Sequence, residues 1–270
     1  MQILLVIVHL LATLAYLLAW RVPARFAGAT MLVGLALHAG ALYAAIFGEA
    51  GWHFGFAPIL SATLWIGVAV LWIEGLSVRV EALRSVVLPV ASVAVLLPLV
   101  FPGMDLSAQA ARPLFLPHLL IGTLAYGVLA MAALHALLMT AAERALHGGA
   151  GASGGHGVSP FARFLEDLPP LLVLERILFR FIALGFALLT LTALSGVLFS
   201  EEIFGQPMRF DHKTVFTLVA WAVFGVLLLG RWMWGWRGRT ALRLTFGGFA
   251  LLLLAYVGSR LVLEVFLHRR

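Results

Sequence analysis

Apolar runs of about twenty residues follow one another along almost the whole chain, and arginines fence them. That feature leaves little choice of fold. A backbone crossing hydrocarbon must satisfy every N–H and C=O internally, so long apolar runs of this kind are transmembrane helices. Hydrophobic residues make up 63% of the 270 and charged residues only 11%, a balance no water-soluble domain needs. Spans are predicted at 2–20, 27–47, 56–76, 85–103, 115–140, 172–200, 214–231 and 243–266. The expected fold is therefore all-α and polytopic, with about eight spans in one transmembrane domain.

The connections sort by charge. Arg21 and Arg25 lie in the first, Arg79 and Arg84 in the third, and Arg144 and Arg163 in the fifth, with Arg176 and Arg180 just beyond. The seventh holds Arg231, Arg237, Arg239 and Arg243. The even connections hold fewer: none in the second, Arg112 in the fourth, Arg209 and Lys213 in the sixth. The positive-inside rule then places the odd connections in the cytoplasm and both termini on the outer, periplasmic side. The net charge of +6 follows helix ends, with no basic run long enough to track a phosphate backbone, so nucleic acid is not an expected partner. Met1 to Trp20 has no basic n-region and reads as a first span.

Gly148 to Gly157 is a flexible linker, since no lysine follows it and no strand precedes it. It divides the chain into about five helices over 1–140, a cytoplasmic linker over 141–170, and a three-helix part over 171–270. Glu175, Arg176 and Arg180 read as an interfacial turn ahead of the sixth span. Tryptophans 20, 52, 72, 232, 234 and 236 fall near span ends, as in an aromatic belt.

Cysteine is absent, which removes thiol redox chemistry, thiolate ligation and covalent haem attachment to this chain. Metal or haem ligation falls to the nine histidines, to methionine or to carboxylates. His53, His118, His212 and His268 all fall on the outer side of the predicted topology. Neutral imidazole is a good axial ligand for haem iron, and interfacial histidines also occur with no such role. His118 follows Pro117 at the start of a span, where its ring faces either lipid or a cavity. His38 lies near the middle of the second span and His9 about halfway into the first, so both rings should face the bundle, as ligands or as helix–helix hydrogen-bonding groups. His135, His147 and His156 receive no role. Arg260 and Glu264, at i and i+4, either pair or leave the guanidinium for a porphyrin propionate. Arg209 and Lys213, the only lysine, are the other cationic candidates. There is no Gly-x-Ser-x-Gly turn, no His-Glu-x-x-His and no acidic run within the spans, which counts against a stand-alone catalyst and against metal-cation transport.

Phe210-Asp211-His212-Lys213, then Gly235-Trp236-Arg237-Gly238-Arg239, then Tyr256-Val257-Gly258 carry a resemblance. In this order, between Ser195 and Arg260, they resemble the cytochrome c assembly family of haem-handling membrane proteins (CcsA, ResC and CcmC-like). The resemblance implies non-covalent haem b held beneath the sixth connection. His118 would be one axial ligand and His212 or His268 the other. Arg209, Asp211, Lys213 and Arg260 would stand near the porphyrin, with His38 a further candidate. It also implies a second assembly membrane protein and apocytochrome c as partners, and an assembly factor rather than an enzyme. The family's loop is rich in tryptophan, whereas Phe204 to Lys213 has none, and Gly230-Arg231 stands where family synthases carry a membrane histidine. The chain looks more like a divergent eight-span branch related to HemX. Two alternatives follow: a regulator or scaffold that has lost haem binding, and a transporter or cation-efflux component.

Overall fold

The computed structural model describes residues 2–48, 51–147, 168–205 and 211–255. Its long helices are α1 (Gln2–Arg21), α2 (Ala24–Ile46), α3 (Phe56–Glu74), α4 (Glu81–Val100), α6 (Phe115–His147), α7 (Leu171–Leu198), α9 (His212–Trp234) and α10 (Gly238–Leu253). Two short helices, α5 (Ser107–Ala110) and α8 (Ser200–Phe204), lie in connections. Seven of the long helices are long and apolar enough within the described residues to cross a membrane. The eighth, α10, starts at Gly238, five residues before the last predicted span, and overlaps the described part of it. The protein is thus all-α and polytopic, as its composition requires.

The helix ends follow local rules. Asp211 caps α9 by accepting the Thr214 N–H at 2.9 Å. At the other end Gly235 takes φ 65°, and the Trp236 N–H closes back on the Gly230 carbonyl. Gly238 (φ 52°) then opens α10. The Gly-Trp-Arg-Gly turn is therefore two left-handed positions that turn the chain back into the bilayer, and glycine is the residue that takes them without strain. Glu175, Arg176 and Arg180, expected in an interfacial turn, lie within the first turns of α7, because Pro170 stands at its N-cap and the helix starts at once.

One feature of the connections was absent from the sequence reading. Three short strands, β1 (Phe47–Gly48), β2 (Gly51–Phe54) and β3 (Met104–Asp105), form a small antiparallel sheet joining the second and fourth connections. Phe47 and Trp52 meet edge to face across it, with ring centroids 4.6 Å apart. Ser107 ties the sheet to α5 by accepting the Trp52 N–H.

Two buried clusters organise the helices. Tyr16, Met31, Leu71, Leu83, Leu88 and Val95 belong to the one built on α1 to α4. Leu129, Leu178, Ile182, Leu189, Phe224 and Leu242 belong to the other, built on α6, α7, α9 and α10. Helix α6 serves both, packing on α3 and also on α7 and α10. Glycines permit the close approach: a Cβ on Gly127 would lie 2.6 Å from Ile66, and one on Gly185 2.5 Å from Leu129.

Candidate functional site

Up-and-down connectivity sends the described arginines of the odd connections to one end of the bundle. The sheet, α5, α8 and the starts of α6 and α9 lie at the other. His118 stands on α6 near that second end, opposite the last turn of α7. Its Nδ1 lies 2.8 Å from Ser195 Oγ. Ser195 Oγ also lies 3.0 Å from the Thr192 carbonyl. When its hydroxyl donates there, it accepts from His118 Nδ1, and the lone pair of the ring is then on Nε2. This is the second-neighbour arrangement that commonly orients a metal-binding imidazole. Gly196 completes the seat, since a Cβ there would lie 3.4 Å from the His118 ring.

The rest of this end is polar and capped. Arg112 donates to the Glu201 carbonyl at 3.2 Å, and its guanidinium lies against Gly205. It thus ties the fourth connection to α8. His212 is exposed at the first position of α9, beside half-buried Lys213. Partial burial pushes the Asp211 carboxyl up, but the Thr214 N–H and hydroxyl, with Lys213 and His212 beside it, outweigh it and leave it below the usual carboxylate range. His53 pairs with Asp105 across β2 and β3, its ring bonded to the Gly51 carbonyl. The Ser107 hydroxyl and N–H hold the Asp105 carboxyl low. Arg209, Arg260, Glu264 and His268, all singled out in the sequence, lie outside the described residues, as do Tyr256 to Gly258.

His38 is fully buried, and both ring nitrogens are taken, Nδ1 by Tyr16 Oη at 3.0 Å and Nε2 by Ser61 Oγ at 2.8 Å. One ring thus links α1, α2 and α3, and ligation of a metal would break one of these bonds. His9 donates from Nδ1 to the Leu5 carbonyl of its own helix. His135, given no role in the sequence reading, is also fully buried. It donates from Nδ1 to the Met131 carbonyl, and its Nε2 lies 3.1 Å from Glu74 Oε1. Glu74 and His135 thus face each other across the interface of α3 and α6.

Sequence reasoning missed Ser195 and Arg112 as partners. The available signal for Ser195 was a hydroxyl beside a glycine at the end of an apolar run. For Arg112 it was the lone arginine of the fourth connection.

No solved structure matches this chain. It is 30% identical to the inner membrane protein YpjD of Escherichia coli over 248 residues, which is 91% of this chain and 88% of that protein. It is 36% identical over 90 residues to the cytochrome c biogenesis protein CcsA of Trichodesmium erythraeum, covering 33% of this chain and 26% of that one. The CcsA of Synechocystis is 35% identical over 89 residues, covering 33% and 27%. The Cytochrome C assembly protein family matches residues 1–267. With a match over nearly its whole length and a full-length relative in the inner membrane, this chain belongs to the cytochrome c assembly protein family and is a multi-pass inner-membrane protein.

Proposed function

We propose that this protein handles haem for cytochrome c biogenesis at the end of the bundle that carries His118, which the positive-inside rule puts on the outer side. The observation behind the reading is the seating of His118 against Ser195, 2.8 Å from Nδ1 to Oγ at the end of the bundle. With the Ser195 hydroxyl donating to Thr192, the lone pair needed by iron is on Nε2. The donor set also suits the rest of a porphyrin. A second imidazole is available in sequence from His212 or His268, and propionates would meet Lys213, Arg209 or Arg260. Haem b would be cargo held without a covalent bond, as a chain lacking cysteine requires. The chain's own task is to bind, orient and release it to an apocytochrome or to a second assembly protein. His38 is left out of this ligand set, because its ring is spent in the helix interface.

The test is an absorption spectrum, oxidised and reduced, of protein purified in mild detergent from haem-replete cells. A Soret band with sharp reduced α and β bands, lost in His118→Ala and weakened in Ser195→Ala, is expected. A colourless preparation that takes up no added haem would overturn the reading.

A second reading has its own support. The tryptophan-free stretch from Phe204 to Lys213 departs from the family's haem-binding loop, as expected of a regulator or scaffold that kept the helices alone. Such a protein would be colourless and would still co-purify with an assembly partner.

A further inference from the structure

The opposite, arginine-bearing end holds a separate feature. Between the first turns of α7 and the turn from α9 to α10 lies a recess of about 440 Å³. Four guanidinium groups line it, from Arg176, Arg180, Arg231 and Arg237, against one carboxylate, Glu175. Glu175 Oε1 holds Arg231 at 2.6 Å and has Arg237 at 3.6 Å. Arg231 also stacks over Phe179, 4.5 Å from its centroid, and donates to the Trp236 carbonyl. Three contacts thus fix its planar fork as one wall. Arg176 and Arg180 are exposed, and their i, i+4 spacing puts them together on one face of α7. Opposite charge within the recess neutralises one guanidinium of four, so the remainder is an anion trap. The positive end of the α7 dipole adds to it, since the recess lies within the first turns of that helix. Apolar Leu172 and Ala183 line the same recess.

We propose that this recess binds the phosphate headgroup of an anionic phospholipid, with the acyl chains running along α7. The chemistry is that of arginine for phosphate: paired N–H donors in a fixed plane, set at headgroup depth beside apolar surface. It is independent of the haem reading, which concerns the other end of the molecule.

The test uses the full chain in detergent, titrated with phosphatidylglycerol, phosphatidylcholine or soluble glycerol 1-phosphate, and followed by thermal shift and native mass spectrometry. Phosphatidylglycerol should raise Tm and remain bound, while phosphatidylcholine should not. R176Q/R180Q should weaken phosphatidylglycerol binding about 30-fold, taking about fivefold for each arginine near a lipid surface. Its lipid-free Tm should match that of the parent, because both side chains are exposed. R239Q/R243Q makes the same charge change at the same end but outside the recess, and should alter binding less than about twofold. Equal losses in the two double variants, or no loss in either, would overturn the proposal by showing diffuse surface attraction or none. Binding of glycerol 1-phosphate as tight as that of the lipid, with the same dependence on Arg176 and Arg180, would overturn the lipid assignment in favour of a soluble phosphate ester.

Discussion

The two clusters that share α6 use the same residue types in opposite ways. In the α1–α4 cluster polar rings are inside. His38 is bonded to Tyr16 and Ser61, His9 to its own helix, and Glu74 meets His135 at the seam. In the α6–α10 cluster the interior is mainly leucine, phenylalanine, isoleucine and alanine, and polar pairs sit at its two ends: His118 with Ser195 at one, Glu175 with Arg231 and Arg237 at the other. A ring whose nitrogens are both spent inside a bundle holds helices together. A ring seated against a hydroxyl near a membrane surface is placed where a ligand can reach it. Depth and partners, rather than residue type, separate architecture from chemistry here.

The largest contrast lies between two histidine substitutions. His118→Ala should abolish bound haem while leaving the fold intact. His38→Ala should leave haem per folded molecule unchanged and cost about 2–5 kcal/mol, because it opens a cavity and orphans two hydroxyls. Reduced spectra and thermal denaturation of both variants check this. Loss of haem without loss of stability in His38→Ala would erase the distinction.

Glu74 sharpens it next. Glu74→Ala leaves the buried His135 without the polar group that faces it and should cost about 1–3 kcal/mol. Glu74→Gln keeps the shape and a polar group opposite the ring and should cost less than about 1 kcal/mol. A glutamine variant as unstable as the alanine one would show that the charge of Glu74, rather than its shape and polarity, holds the contact.

The glycine contacts compare the two sides of α6 directly. Gly127→Ala drives a methyl into Ile66 of α3, and Gly185→Ala drives one into Leu129 from α7. Each should cost about 1–3 kcal/mol in a denaturant titration. The double substitution should be additive if the two faces of α6 pack independently.

The smallest effect concerns the cap of α9. Asp211→Asn should retain most of the cap, and Asp211→Ala should cost about 0.5–2 kcal/mol. The Asp211 carboxyl lies below its ordinary range in the folded protein, so its contribution is present at neutral pH. It is lost as pH falls through the lowered folded value, because protonation then favours the unfolded chain. Melting curves between neutral and acid pH should therefore converge for parent and Asp211→Ala as pH falls.

The number of long helices, their order and most of their positions were legible in the sequence, because hydrocarbon imposes a length and a composition that show in any window of about twenty residues. The Gly-Trp-Arg-Gly turn was legible as a motif, and its two left-handed glycines explain why. That His38 would face inward was legible for the same reason that its partners were not. Depth excludes lipid, but which hydroxyls meet the ring depends on how α1 and α3 rotate about their axes. The small sheet was hidden because its strands are two to four residues long and β2 meets β3 across about fifty positions of chain.

The sequence by itself determined an all-α, multi-pass membrane protein, one end rich in arginine and the other rich in histidine. Only the tertiary structure decided which histidine is seated and which are spent. Helical periodicity places a side chain on a face, whereas a hydrogen bond needs two helices in register. His118 finds Ser195 across 77 positions, and Ser195 also reaches the Thr192 carbonyl of its own helix.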